Sequence, residues 1–205
     1  EEKKKGYFGK MEAGSDGNRY RNGQIMLNSF KKKRKIAGYL THNNTSFEGL
    51  NWQDRRNFGA DNSTMEMTDD GGMMIFSSGD EFTSGNGFPQ STSAGITYAN
   101  KWKNDKHALN SNYQFNNQLV NGSNQSLSTT ILPDTSFSNN TTESFFNLRN
   151  RNKVAGTYIL QADSLNTLQF KTDAGIIRGN RSNSFIGQSV SEDNRIINES
   201  NRSTS

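Results

Sequence analysis

Apolar and polar residues alternate with a period of two along most of this chain, and helical periodicity is hard to find. Residues 108–115 show it most clearly: Leu109, Ser111, Tyr113 and Phe115 fall on one face, with Ala108, Asn110, Asn112 and Gln114 on the other. Over 167–177, Leu168, Phe170, Thr172, Ala174 and Ile176 oppose Gln169, Lys171, Asp173, Gly175 and Ile177. A longer run places Phe146, Leu148, Val154, Gly156, Tyr158 and Leu160 together, against Asn147, Arg149, Arg151, Lys153, Thr157 and Gln161. Asn150 and Asn152 interrupt its apolar face. Within 94–102, Ala94, Ile96, Tyr98 and Trp102 share a face, and near the start Tyr7, Gly9, Met11 and Ala13 oppose Phe8, Lys10 and Glu12. Residues 23–30 and 36–41 are strand-like with mixed faces, so neither face is marked as outward. The pattern predicts an all-β chain of seven strands forming an antiparallel up-and-down sheet.

The connections between these runs differ in length. A first hairpin loop falls near 15–18, and tight turns are expected at 32–34, at Asn104 and Asp105, and near 164–166. Long segments cover 44–93 and 120–143, and a polar stretch follows from 180. Short turns therefore gather on one rim and long loops on the other. Parity agrees, because Trp102 and Leu109 share a face only if an even-length turn joins them, and the Asn104-Asp105 turn supplies it.

A sheet with one apolar and one polar face, short turns on one rim and long loops on the other, has the form of a segment of a transmembrane β-barrel. Its strands reach the roughly 9–11 residues that cross a bilayer at the usual tilt. Tyr7, Phe30, Trp102 and Tyr158 fall near strand ends, where membrane-interface aromatics are expected. A soluble sandwich is the alternative, in which two apolar faces meet each other instead of lipid. Pattern favours the barrel without excluding the sandwich.

Composition narrows the choice. Only 30% of residues are hydrophobic, below the roughly 45–50% usual for globular domains. The deficit is filled by 28 Asn, 24 Ser and 16 Thr, which leaves too little apolar volume for a conventional two-sided core. Thirteen Phe, six Tyr and two Trp with only two Pro argue against a disordered chain. There is no Cys, so disulfides and thiolate metal sites are excluded. No apolar run approaches the length of a membrane-spanning helix, the longest being stretches such as residues 73–76. The net charge is +4, with basic residues concentrated at 3–5, 31–35 and 101–106. Read alone, the run Lys31, Lys32, Lys33, Arg34 and Lys35 resembles a nucleic-acid patch, but a solvated turn between strands accounts for it. No nucleic-acid partner is expected.

Several segments together resemble the TonB-dependent-receptor-like outer-membrane proteins of the Bacteroidota. These are Gly9-Lys10-Met11-Glu12-Ala13-Gly14 with Asp16-Gly17-Asn18-Arg19-Tyr20, and Asn28-Ser29-Phe30 with its basic turn. Ala94-Gly95-Ile96-Thr97-Tyr98, Lys101-Trp102, Leu132-Pro133-Asp134-Thr135-Ser136-Phe137 and Phe146-Asn147-Leu148-Arg149 continue the likeness nearly end to end. The resemblance implies a Gram-negative outer-membrane location. It also implies a barrel of which this chain is the first part, following a plug domain and a TonB-contacting segment that lie outside it. Residues 1–205 are expected to form one partial barrel with no second domain and with both ends cut. The implied activity is uptake of a large solute such as a siderophore, glycan or peptide, driven through the TonB complex. Short turns would then be periplasmic and long loops extracellular. Asn147, Arg149, Arg151, Lys153, Lys171 and Asp173 would face the lumen, toward solute or plug. A surface-binding or structural β-protein without transport, adhesin-like or an assembly barrel, is the alternative.

Candidate chemistry is sparse. His42 and His107 lack ligand-spaced partners and are expected at strand ends in water. There is no nucleophile elbow, no zinc-protease motif and no phosphate loop, so neither an enzyme nor a cofactor is expected. Asp69-Asp70-Gly71-Gly72 lacks the alternating oxygens of a calcium loop. Asn-x-Ser/Thr triplets at Asn62 and Asn121 are what an Asn-rich composition yields by chance, and Asp163-Ser164-Leu165 weakly resembles a Bacteroidota O-glycosylation site.

Overall fold

The computed structural model describes residues 5–44, 64–67, 73–76, 90–133, 135–193 and 195–205. In chain order the strands are β1 (Lys5–Ser15), β2 (Arg21–Lys31), β3 (Arg34–Asn43), β4 (Thr64–Met67), β5 (Met73–Phe76), β6 (Gln90–Trp102), β7 (His107–Leu132), β8 (Thr135–Gln161), β9 (Thr167–Ser191) and β10 (Ile196–Thr204). Eight of them form one antiparallel up-and-down sheet in the order β1-β2-β3-β6-β7-β8-β9-β10, which does not close on itself. β4 and β5 pair as a separate hairpin within the long connection between β3 and β6.

The all-β, up-and-down reading of the alternation is seen in the structure, but the strand number and two boundaries differ from expectation. The segment 120–143 is not a long loop. β7 and β8 continue through it as paired strands, β7 running to Leu132 and β8 starting at Thr135. The polar stretch from 180 likewise completes β9 and supplies β10, so the main sheet has eight strands and not seven. The physical reason is that strands are ordered by backbone pairing. Where both faces carry Asn, Ser and Thr, side chains show no alternation to reveal it.

The chain forms two compact units, one made of residues 1–82, 90–117 and 150–178, the other of 83–89, 118–149 and 179–205. In the first unit the register is continuous from β1 to β6. Tyr7 lies opposite Ser29, Ser29 opposite Ile36, and Ile36 opposite Tyr98. Directly opposed residues point to the same side, so this register assigns the faces that composition left open. One face carries Tyr7, Met11, Ile25, Leu27, Leu40 and Ile96, all exposed. The other carries Met26 and Ala37, the fully buried pair on which Tyr39 packs, together with buried Asn28, Thr41, Asn43, Thr97 and Ala99.

Two glycines let that inner face close up. Gly95 lies opposite Tyr39 and Gly6 opposite Phe30, and a Cβ at either glycine would overlap the ring laid across it. An aromatic covering a cross-strand glycine restores the packing the glycine lacks.

The turns follow local chemistry. In the four-residue β6–β7 connection Lys106 N–H donates to Lys103 C=O at 3.2 Å across the central pair Asn104 and Asp105, where a tight turn matching strand twist needs positive φ. Lys103, Asn104 and Asp105 all adopt it. Lys32 does so in the β2–β3 turn. The β2–β3 and β6–β7 turns are joined where Lys33 Nζ donates to both carboxylate oxygens of Asp105 at 2.6 Å. In the β1–β2 loop the Asp16 carboxylate accepts the N–H groups of Asn18 and Tyr20, each at 2.9 Å, and Gly17 takes positive φ. Asn44 ties this loop down from β3, its Oδ1 accepting Arg21 N–H at 2.6 Å and its Nδ2 donating to Arg19 C=O at 2.7 Å.

The β8–β9 turn is held by one carboxylate. Asp163 accepts the Asn166 side-chain amide at 2.7 Å and the N–H groups of Leu165 and Asn166 at 2.8 and 2.7 Å. These bonds, the Asn166 side chain first, hold its carboxyl below the ordinary carboxylate range. The folded chain thus binds that proton less readily than the unfolded chain. The turn's contribution is complete above the ordinary range and is lost as pH falls through the lowered folded value. Protection of the Leu165 and Asn166 amides, taken as exchange relative to the intrinsic rate at each pH, is expected to fall across that acidic window, and in Asp163→Ala to be low at every pH. A native profile showing no such step would remove the carboxylate from its assigned role.

Candidate functional site

Interior and exterior are exchanged relative to a soluble sheet. Apart from Met26, the buried positions of the first unit are small or polar, while several of its large apolar side chains are in the open: Tyr7 is 79% exposed, Met11 74% and Leu27 65%. The same facing continues across β7 and β8: Tyr113 and Val154 are exposed, whereas Ala108 and Thr157, on the opposite parity, are buried. In β9, residues 167–181 are exposed on both sides. A contiguous exposed apolar surface of this kind marks a place where something other than water is meant to sit.

Polar residues on that outer face are paired with each other. The two asparagines that break the apolar alternation of β8 are explained this way: Tyr113 Oη donates to Asn152 Oδ1 at 2.7 Å, and Asn117 Nδ2 donates to Asn150 Oδ1 at 2.5 Å. Neighbouring β7 thus supplies a donor for each.

An aromatic cluster spans the β6–β7 turn and its neighbours. Trp102 stacks on His107 with ring centres 5.5 Å apart, Tyr158 lies 6.3 Å from Trp102, and Phe170 lies 6.4 Å from Tyr158. His107 Nδ1 and Tyr158 Oη share a hydrogen bond of 2.7 Å. His107 stands at a strand end as expected, but among aromatic rings and only half-exposed; its place five residues after Trp102, across the turn, was the available signal. His42 is exposed and bonded through Nδ1 to Thr92 Oγ1 at 2.8 Å.

Of the four expected interface aromatics, Trp102 and Tyr158 meet in this cluster and Tyr7 is exposed on the same face of the sheet. Phe30 is placed differently. It is registered against Gly6 and tilted against Phe8 with ring centres 6.5 Å apart, which puts it on the inner face with Met26 and Asn28. Its position beside a turn suggested the interface; its parity in β2 decides against it.

The six residues expected on the polar face are divided between the units. Arg151, Lys153, Lys171 and Asp173 belong to the first, Asn147 and Arg149 to the second. Within the first, the structure joins Lys153 Nζ to Asp173 Oδ2 at 3.1 Å, with Lys153 largely covered and Asp173 open. Arg149, Arg151 and Lys171 each have partners. Asn28 Oδ1 and Asn43 Oδ1, which the sequence did not single out, are buried on the inner face without a hydrogen-bond partner. Among the described residues, no three His, Asp or Glu gather where they would hold a metal ion. Asp69 to Gly72 and Asn62 lie outside the described residues, as do residues 84–89.

No family model, curated protein or solved structure matches this chain. Geometry and residue chemistry carry the functional reading.

The pairing of Tyr113 with Asn152 is testable by a cycle. Tyr113→Phe leaves the asparagine without its donor and is expected to cost about 1 kcal/mol. Adding Asn152→Leu should recover most of that loss, measured by denaturant unfolding of the whole protein. Additive losses would mean the two side chains act independently.

Proposed function

We propose that this chain is the first part of a TonB-dependent-receptor-like outer-membrane barrel, which in its complete form takes up a large solute. The observation that carries the reading is the inverted sheet: exposed Tyr7, Met11, Leu27, Ile96 and Val154 on one face, buried Asn28, Thr41, Thr97 and Thr157 on the other. A bilayer accepts the first face, and a plug or wet lumen accepts the second. The strands of the first unit supply the length a bilayer asks for, β1 and β2 having 11 residues each and β6 having 13.

Two further features support it. β1 stands at one end of the sheet, and β10 pairs with β9 only over residues 183–190, so backbone groups at both margins call for further strands. In lipid such edges are not tolerated, and the remaining strands of the same barrel would satisfy them. The orphaned acceptors of Asn28 and Asn43 are placed to receive donors from a plug filling the lumen. In this reading the solute meets the cationic inner face around Arg151, Lys153 and Lys171, and TonB acts through the plug.

An immunoblot of native membranes with an antibody against this segment tests the proposal. A heat-shifted outer-membrane band far larger than 22.9 kDa is expected. A soluble, heat-indifferent band would overturn it. Detection of an upstream plug separates the transporter from a surface-binding barrel, which has no use for one.

Facing is tested separately. In the whole protein, Tyr113→Arg is expected to cost about 2–4 kcal/mol near mid-bilayer and to impair assembly, with Asn112→Arg, on the inner face, tolerated. Equal effects would contradict the assignment of the two faces.

A further inference from the structure

On the outer face, the row of residues nearest the β2–β3 turn is cationic. Lys5 lies directly opposite Lys31, and Lys31 directly opposite Arg34, so both cross-strand partners of Lys31 are themselves cations. All three are exposed. Opposed residues in such a ladder have Cβ atoms about 5 Å apart, and like charges on directly opposite residues are destabilising. The repulsion is not a general property of the turn. Its tip cation Lys33 is matched by Asp105.

The next rows inward explain what the cations face. Two residues along, on the same side, come Tyr7, Ser29, Ile36 and Tyr98; then Gly9, Leu27, Gly38 and Ile96; then Met11, Ile25, Leu40 and Ala94. Each step is about 6.6 Å along the strand. The order from the rim is charge, aromatic ring, aliphatic surface, which is the order of phosphate, interface and hydrocarbon in a lipid leaflet.

We propose that Lys5, Lys31 and Arg34 form a site for the phosphate groups of anionic phospholipid at this rim. The proposal rests on the bilayer reading above and goes beyond it by naming the lipid chemistry and the residues that select it. A phosphate seated over the row offsets the repulsion among three adjacent cations, and the acyl chains of the same lipid lie along Leu27, Ile25 and Leu40. Arg34 and the two lysines then anchor the depth of the strands, and the run expected to be merely a solvated turn divides into two roles. Lys32 and Lys33 form the turn, while Lys31 and Arg34 face the leaflet.

The test inserts the whole native protein into phosphatidylcholine vesicles with and without phosphatidylglycerol, and measures the relative association of spin-labelled phosphatidylglycerol and phosphatidylcholine. The native protein is expected to prefer the anionic lipid by roughly tenfold or more at low salt, with the preference declining as salt is raised. The combined Lys5→Gln, Lys31→Gln and Arg34→Gln variant should bring it close to unity, whereas Lys33→Gln and Lys31→Arg should retain it. A native protein that enters both vesicles without preference, or a triple variant that keeps its preference, would overturn the site alone. Competition by inorganic phosphate as effective as the lipid would overturn the assignment to phospholipid. Failure of the native protein to enter either vesicle would overturn the bilayer reading and the site with it.

Discussion

Every facing in the first unit depends on the register that joins β1, β2, β3 and β6. Side chains on a strand change sides at each residue, so a slip of one position would carry Ile25 and Leu27 inward and expose Met26 and Asn28. The same register sets Lys31 between two cations and lays Tyr39 over Gly95. What fixes it is distributed: the tight β2–β3 turn at one rim, Asp16 and Asn44 around the loop at the other, and aromatic-over-glycine pairs on the ladder. No single contact is strong, but each fails if the ladder shifts.

Both faces of the sheet pair polar groups across strands, but ion pairs and unsatisfied acceptors are found on the inner one. Three outward polar pairs join neighbouring strands, Tyr113 with Asn152, Asn117 with Asn150 and His107 with Tyr158, and the inner face has pairs of its own, such as Gln24 with Glu12 and Asn116 with Ser93. A donor spent on a neighbouring acceptor exposes little unsatisfied polarity to an apolar surrounding. The inner face also holds the ion pairs of Lys10 with Glu12 and Lys153 with Asp173, and leaves the Asn28 and Asn43 acceptors unspent. Such an arrangement suits a face that meets water or another part of the same protein, and it is the reverse of what a soluble core requires.

The open margins bear on function in the same way. An antiparallel sheet with one exposed apolar face and unpaired edges is unfavourable in water and in lipid alike. In the proposed barrel, closure by further strands would resolve both problems at once, because it would satisfy the edge backbone and turn the apolar face toward lipid. The proposed phospholipid row adds a fixed depth to that arrangement.

Alternation, turn residues and parity along the chain were enough to establish the all-β class, the up-and-down order, the exposed apolar faces of β6, of the start of β7 and of the 150–160 part of β8, and the shared face of Trp102 and Leu109. These are local properties, carried by spacing within ten or so residues. The Asn-, Ser- and Thr-rich continuation of β7, β8 and β9, and β10 itself, were hidden because their order comes from backbone pairing with a neighbour and leaves no mark on side-chain polarity. The outward faces of β2 and β3 were equally hidden, since both faces are mixed and only the partner strand distinguishes them. Phe30 turned inward for that reason, opposite Gly6, and the basic run resolved into a turn and a charged row only once Lys5 was brought beside Lys31. Spacing along the chain decides which residues share a side of a strand; which side it is, and what lies across from it, are decided by pairing at a distance.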